Sequence, residues 1–216
     1  MNNMIPKIIF QTYEGKYENL PEHYKQTSLS WQRLNPGWAY VYHDRDQRDE
    51  YVKTFSPELY KTYGRVIKPH QADIWRYLIL KNEGGVYADM DSFCSTPMDY
   101  ILDKVPDTVD IVCTKTEDRN HTNNANFAAV KRSVILTQCI EDILVANRKE
   151  RNSPDQTVIH QCFSDGVLNN PEKVSKTMKA EHGATYKRKF DQDNMKIDYY
   201  GEKISYGDLL TKYNMI

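Results

Sequence analysis

"RYLILKNEGGVYADMDSFCSTP", Arg76 to Pro97, carries two structural patterns back to back. Its first half continues a helical stretch that begins at Pro69, with Ile74, Trp75, Leu78 and Ile79 forming an apolar stripe. Gly84 and Gly85 suit the left-handed backbone that closes a helix and turns the chain. "VYADMD" then reads as a strand ending in two carboxylates. On an alternating strand Asp89 and Asp91 point the same way, about 6–7 Å apart at their Cα atoms, and Met90 points into the opposite layer. Two carboxylates so placed repel each other unless a cation offsets the charge. A hard cation held by only two carboxylates keeps open positions that phosphate oxygens fill, which points to a diphosphate substrate. Solvated turn residues produce the same spacing, so the pattern gains meaning only from its surroundings.

On the N-terminal side, "KIIFQTY" reads as a buried strand and "WAYVYHD" as a second one. Between them, "PEHYKQTSLSWQRLN" reads as a helix opened by Pro21 and stopped by Asn35-Pro36-Gly37. "RDQRDEYVKTF" and "PELYKTY" read as mostly surface helices. On the C-terminal side, "DIVCTK" and "NFAAV" read as strands, "VILTQCIEDILVANRKE" as an amphipathic helix and "DQTVIHQCF" as the start of another. Strands alternating with helices predict an α/β sandwich with a mainly parallel sheet. With 216 residues, no repeat and no low-complexity linker, the chain is expected to form a single domain over 1–216.

Composition narrows the function. The 29 basic and 30 acidic residues nearly cancel, which argues against nucleic acid or a membrane surface as partner. No apolar stretch is long enough to span a bilayer, and "MNNMIPKIIFQTYEG" has too short an apolar run for a signal peptide. Four well-separated cysteines without a C-x-x-C pair read as reduced thiols. Together these give the expectation of a cytoplasmic protein.

In the helix, Asp73 and Arg76 are three residues apart with Tyr77 and Leu80 on the same face, opposite the apolar stripe. From there they can overlook the cleft that holds Asp89 and Asp91. An arginine fork suits phosphate or sugar oxygens and an aspartate accepts from sugar hydroxyls. The alternative is an i,i+3 surface ion pair of a few tenths of a kcal/mol.

The whole run "ADIWRYLILKNEGGVYADMD" resembles the core of the Asp-x-Asp sugar-binding-region glycosyltransferases, glycosyltransferase family 32, matching without a gap from Asp73 to Asp91. "IPKIIFQTYEG" is similar to the first strand of that family, departing at Phe10 and Tyr13, where histidine and tryptophan are usual, and "LNPGWAYVYHD" looks like its second strand. The resemblance is strong in the first half of the chain and weak in the second. It implies a GT-A fold, a single Rossmann-like α/β/α sandwich with a mainly parallel mixed sheet. It also implies a metal-dependent enzyme that moves a hexose-class sugar from a nucleotide diphosphate sugar, expected to be a UDP-sugar, onto a glycan or glycolipid acceptor with retention of configuration.

By the same resemblance Tyr13 stacks on the base, Asp73 binds donor hydroxyls, and Arg76 contacts the sugar or phosphates. Asp89 is shared between ribose and metal, and Asp91 ligates Mn²⁺ or Mg²⁺. Asp155 and Gln156, in "NSPDQTVIHQ", take the place of side chains that face the anomeric carbon; capping the helix they open explains them equally. His182 is a candidate third ligand. Asn123 and Asn126 are candidate sugar contacts, although a loop-to-strand turn explains asparagines as well. The lysines and arginine among Lys173, Lys176, Lys179, Lys187, Arg188 and Lys189 form a basic stretch that reads best as a solvated face. The family's membrane-anchored relatives differ from this chain, which suits a bacterial or viral glycan-assembly enzyme or one domain of a longer polypeptide.

Other classes remain in play. A lesion-bypass polymerase would carry its acidic strand near the N-terminus and add a later Ser-x-Asp-Glu. A D-x-D phosphohydrolase or nucleotidyltransferase needs a further acidic motif, and a metal-dependent sugar-binding module needs no catalysis at all.

Overall fold

The computed structural model describes residues 4–114, 122–149, 157–176, 190–191, 196–199 and 202–205. Strand β1 (Ile8–Thr12) lies inside a six-stranded sheet, where Phe10 faces one layer and Ile9 the other. This is the period-two alternation expected of a strand covered on both faces. β2 (Ala39–His43) and β3 (Gly85–Ala88) flank β1 and run parallel to it. β5 (Asn123–Ala129) pairs antiparallel with both β3 and β4 (Ile111–Thr114), and β6 (Val174–Ser175) adds a parallel edge. The order is β2-β1-β3-β5-β4-β6, a mixed sheet with one reversed strand. A separate three-stranded antiparallel sheet comprises Phe190–Asp191, Lys196–Tyr199 and Glu202–Ser205.

Helices α1 (Glu22–Leu34) and α5 (Met98–Leu102) cover one face, bringing Trp31, Met98 and Ile101 onto Ile9, Val86, Val112 and Ala128. Helices α2 (Arg45–Phe55), α3 (Pro57–Tyr63), α4 (Lys68–Glu83), α6 (Val134–Lys149) and α7 (Thr157–Leu168) cover the other. The result is the α/β/α sandwich that the family resemblance implied, consistent with the α/β plan that the alternation of elements predicted. No helix among the described residues is long and apolar enough to cross a membrane.

Three expectations change on contact with the structure. First, α4 is not amphipathic in its setting: every residue from Asp73 to Leu80 is buried. α6 and α7 pack over it, and Tyr77 stacks on Phe163 with ring centroids 5.2 Å apart and planes 6° off parallel. Asp73 and Arg76 are therefore interior groups, and a weak surface ion pair is excluded. Second, α2 is mostly at the surface as expected, with only Arg48 and Val52 buried, whereas α3 is not, since Leu59, Thr62 and Tyr63 point inward from it. Third, β3 ends at Ala88, so Asp89 and Asp91 do not alternate along a strand. Ser92 N–H donates to the Asp89 carbonyl at 3.0 Å, closing a tight turn that Asp89 opens and that holds Met90 and Asp91 at its inner positions.

The turn into β3 depends on backbone that other residues tolerate badly. Gly85 has φ +111°, and a Cβ there would lie 2.6 Å from the Ile8 carbonyl oxygen of the neighbouring strand. Gly85→Ala is thus expected to cost about 3 kcal/mol or more of stability. A urea midpoint equal to that of the parent protein would contradict this.

Candidate active site

The carboxyl ends of the parallel strands β1 and β3 open into a cleft of about 420 Å³. In open α/β sheets, ligands bind at this end of the strands. The cleft wall includes Tyr13, Glu14, Asp73, Arg76, Asp89, Asp91 and Asn124, so the fold brings both halves of the "ADIWRYLILKNEGGVYADMD" run to one place.

Helix α1 holds the acidic turn in position from beneath. Thr27 Oγ1 donates to the Met90 carbonyl, and Trp31 Nε1 donates to the Ser92 carbonyl at 2.7 Å. Ser30 Oγ accepts from Cys94 N–H at 2.9 Å, and Asn35 Oδ1 accepts from Met98 N–H at 2.7 Å. Gln11 Nε2 in β1 adds a bond to the Asp89 carbonyl at 3.0 Å. These buried side chains satisfy loop groups that no strand partner serves, as burial demands. Nothing in the period of α1 marked Thr27, Ser30 and Asn35 for that task.

Arg76 is the hub of the site. Its Nη2 lies 3.2 Å from Asp73 Oδ1 and 3.1 Å from Asp89 Oδ1, while Nη1 donates to the Asn124 carbonyl at 2.7 Å. Its guanidinium carbon sits 4.2 Å above the Tyr87 ring. Burial opposes the charge, but Asp89, Tyr87 and Asp73 outweigh it and keep the guanidinium protonated. Most of its donors thus serve the protein's own carboxylates and backbone, and its reach to a ligand is narrower than a free fork would have.

Asp73 accepts from His70 Nδ1 at 2.9 Å and from Asn124 Nδ2 at 3.0 Å, in addition to Arg76. Burial pushes its carboxyl up, yet Arg76 and His70 together hold it below the usual carboxylate range. It is therefore a fixed, ionised acceptor at the cleft wall. Tyr87 Oη donates to Asp89 Oδ1 at 2.6 Å. Because that oxygen also faces Arg76, Asp89 is aimed by two partners on one atom, and no described residue bonds its Oδ2.

At the other end of the cleft, Tyr13 and Tyr24 pack with ring centroids 4.8 Å apart. Burial, then the neighbouring Tyr13 and the charge of Asp91, push the Tyr24 phenol up to about 12, so it stays neutral beside the acids. Beside Tyr13, Glu14 accepts from the buried Arg48 at 2.6 Å. Arg48 also donates to Tyr63 Oη at 3.0 Å and to Thr12 Oγ1 at 3.3 Å.

Some candidates fall elsewhere. Asn126 is buried opposite Ala88 and does not line the cleft; Asn124 does. Against β4, β5 also carries a register irregularity: Cys113 pairs with Phe127, but Thr114 pairs with Asn123. The Asn123 side chain turns back to accept from Ala125 N–H at 2.8 Å. Asp155, Gln156 and His182 lie outside the described residues, although α7, which follows Asp155 and Gln156, packs on α4 and β5. The sequence reading passed over Glu14, Arg48, Lys68, Tyr24 and Tyr87, all in the cleft wall. Only Glu14, next to a candidate base-stacking residue, carried a usable signal.

The donor set suits a hard divalent cation. The wall holds four carboxylates (Glu14, Asp73, Asp89, Asp91) against Arg48, Lys68 and Arg76, and Arg76 already serves Asp73 and Asp89. Oxygen ligands in small number match Mg²⁺ or Mn²⁺, which complete their shells with phosphate oxygens and water. No group of three or more His, Cys, Asp or Glu side chains with metal-binding geometry occurs among the described residues. Any protein share of such a site is thus small, with Asp91 and Asp89 its candidates.

Comparison with known proteins agrees with this arrangement. The family described as "Glycosyltransferase sugar-binding region containing DXD motif" matches residues 21–108. Mannosyl phosphorylinositol ceramide synthase SUR1 of Saccharomyces cerevisiae is 37% identical over 100 residues, 46% of this chain and 26% of that protein. Inositol phosphoceramide mannosyltransferase 1 of Schizosaccharomyces pombe is 31% identical over 153 residues, 67% of this chain and 44% of that protein. The chain therefore spans less than half the length of these relatives. Among solved structures, the PaToxG glycosyltransferase superposes with a TM-score of 0.57 at 16% identity, covering 77% of this chain and 70% of that one. That likeness fixes the fold as GT-A.

Proposed function

We propose, from the premise that this chain belongs to the family of glycosyltransferase sugar-binding regions containing the DXD motif, that it moves a hexose from a nucleoside diphosphate sugar to a glycan or glycolipid. Mannose is the favoured hexose, since the two curated relatives are named for mannosyl transfer. The observation that carries the reading is the Asp73–Arg76–Asp89 network, buried at the floor of a cleft whose rim bears Asp91 and an aromatic pair.

In this reading Tyr13 offers its ring to the base. Asp73, fixed by three donors, accepts from hydroxyls of the donor sugar. Asp89 Oδ2 accepts from the ribose or takes part in metal binding, with Arg76 and Tyr87 holding its other oxygen. Asp91 supplies a carboxylate to a divalent cation. The cation, when bound, contributes Lewis-acid stabilisation of the departing diphosphate. Arg76, committed to Asp73 and Asp89, contributes by holding both carboxylates in fixed positions before the donor arrives. Family resemblance adds retention of configuration, with Asp155 and Gln156 as groups facing the anomeric carbon.

A direct assay separates this from a non-catalytic sugar-binding module. Incubated with nucleoside diphosphate hexoses and Mn²⁺, the protein is expected to release nucleoside diphosphate slowly even without acceptor. A module that binds sugar without catalysis would release none, and that outcome would overturn the proposal.

A further inference from the structure

The cleft contains a second polar cluster that the transfer chemistry does not use. Glu14 stands beside Tyr13, with Oε1 held at 2.6 Å by Arg48 Nη2. Arg48 is itself locked by Tyr63 and Thr12, so the carboxylate plane is fixed from behind. Oε2 is shielded from water and has no hydrogen-bond partner among the described residues. The nearest cation, Lys68 Nζ, lies 3.4 Å away, beyond the range of a good N–H···O bond, on a side chain 65% exposed. Burial works against ionisation of Glu14, but Arg48 and Lys68 overcome it and hold the carboxyl below its usual range. Glu14 is thus ionised and can only accept hydrogen bonds.

Lys68 serves Oε2 only through a long ion pair from an exposed side chain, and a ligand that supplies a well-aligned donor gains what that contact lacks. The ligand group beside Tyr13 is the donor's base, on the donor-site reading above. We propose that Glu14 Oε2 accepts a hydrogen bond from the ring N–H of that base, making Glu14 a specificity-determining residue with Arg48 as its positioning partner. Uracil and guanine share the required chemistry, since each presents a ring N–H on its pairing edge. Cytosine and adenine present a bare ring nitrogen there, an acceptor facing an acceptor, and reach Oε2 only by shifting to their exocyclic amino group, which makes them weaker ligands. The aromatic ring gives affinity for any base, whereas the carboxylate chooses between them.

Calorimetric titration of the full chain with UDP, GDP, CDP and ADP, each with Mn²⁺, tests this. UDP or GDP is expected to bind roughly 10- to 100-fold more tightly than CDP and ADP, the size of one unsatisfied buried group. The comparison between UDP and GDP tells which lactam base the site prefers. Methylating the ring nitrogen (3-methyl-UDP or 1-methyl-GDP) should abolish the advantage without any change to the protein. Glu14→Gln should keep the fold through its remaining bond to Arg48 and narrow the discrimination, because an amide can also donate. Equal binding of all four diphosphates would overturn the role of Glu14 and leave the donor site standing. Binding of none would remove both.

Discussion

Asp91→Asn is expected to lower turnover of a nucleoside diphosphate sugar by about 10²- to 10³-fold or more in metal-replete buffer, the rate equivalent of several kcal/mol of lost metal stabilisation. The substitution conserves size and hydrogen-bonding shape but removes the charge that a hard cation needs. Asp91 sits within a turn whose backbone is fixed by Thr27 and Trp31, so the fold should survive with unchanged circular dichroism. Loss of activity together with a weakened response to added Mn²⁺ is the expected pair of results. Parent-level turnover in the variant would remove Asp91 from the metal site.

Arg76→Leu should cost about 3 kcal/mol of stability in addition to activity, because it removes the counter-charge of buried Asp73 and of half-buried Asp89. The Asp73 side chain is only 11% exposed, so it has little water to turn to, and Asp89, at the cleft wall, has somewhat more. The triple variant Arg76→Met, Asp73→Asn, Asp89→Asn should recover most of that loss, since neutral groups of similar volume need no counter-charge. It should remain inactive. If the single variant melted like the parent, Arg76 would not be balancing the two acids, and its place at the hub of the cleft would have to be given up. The comparison separates what Arg76 does for folding from what it does for transfer.

Much of the architecture was legible because it follows from local physics. Pro21 and Pro69 marked helix starts, and Gly84 and Gly85 marked the turn between α4 and β3. Apolar alternation placed β1 and β2 correctly. The site was partly legible for the same reason: Asp73, Arg76, Asp89 and Asp91 fall in one short segment whose helix-turn-strand geometry must bring its ends together. The errors came from non-local forces. The strand seemed to run through Asp91 because nothing in "VYADMD" announces that α1 captures the carbonyls of Met90 and Ser92. Asn126 was named and Asn124 was not, because nothing local to "HTNNANFAAV" shows which of its asparagines the packed sheet leaves at the cleft.

By itself the sequence determined the layered α/β plan, the helix-to-strand turn and the identity of the acidic residues, since periodicity and backbone preference act over neighbours in the chain. Tertiary structure alone decided that α4 is buried on every side, and that Arg76 is spent on Asp73 and Asp89. It alone decided that Arg48, from a helix 34 residues away, orients Glu14 beside Tyr13. Burial and charge pairing depend on which distant segments share a volume, and that is fixed only when the sheet closes its layers.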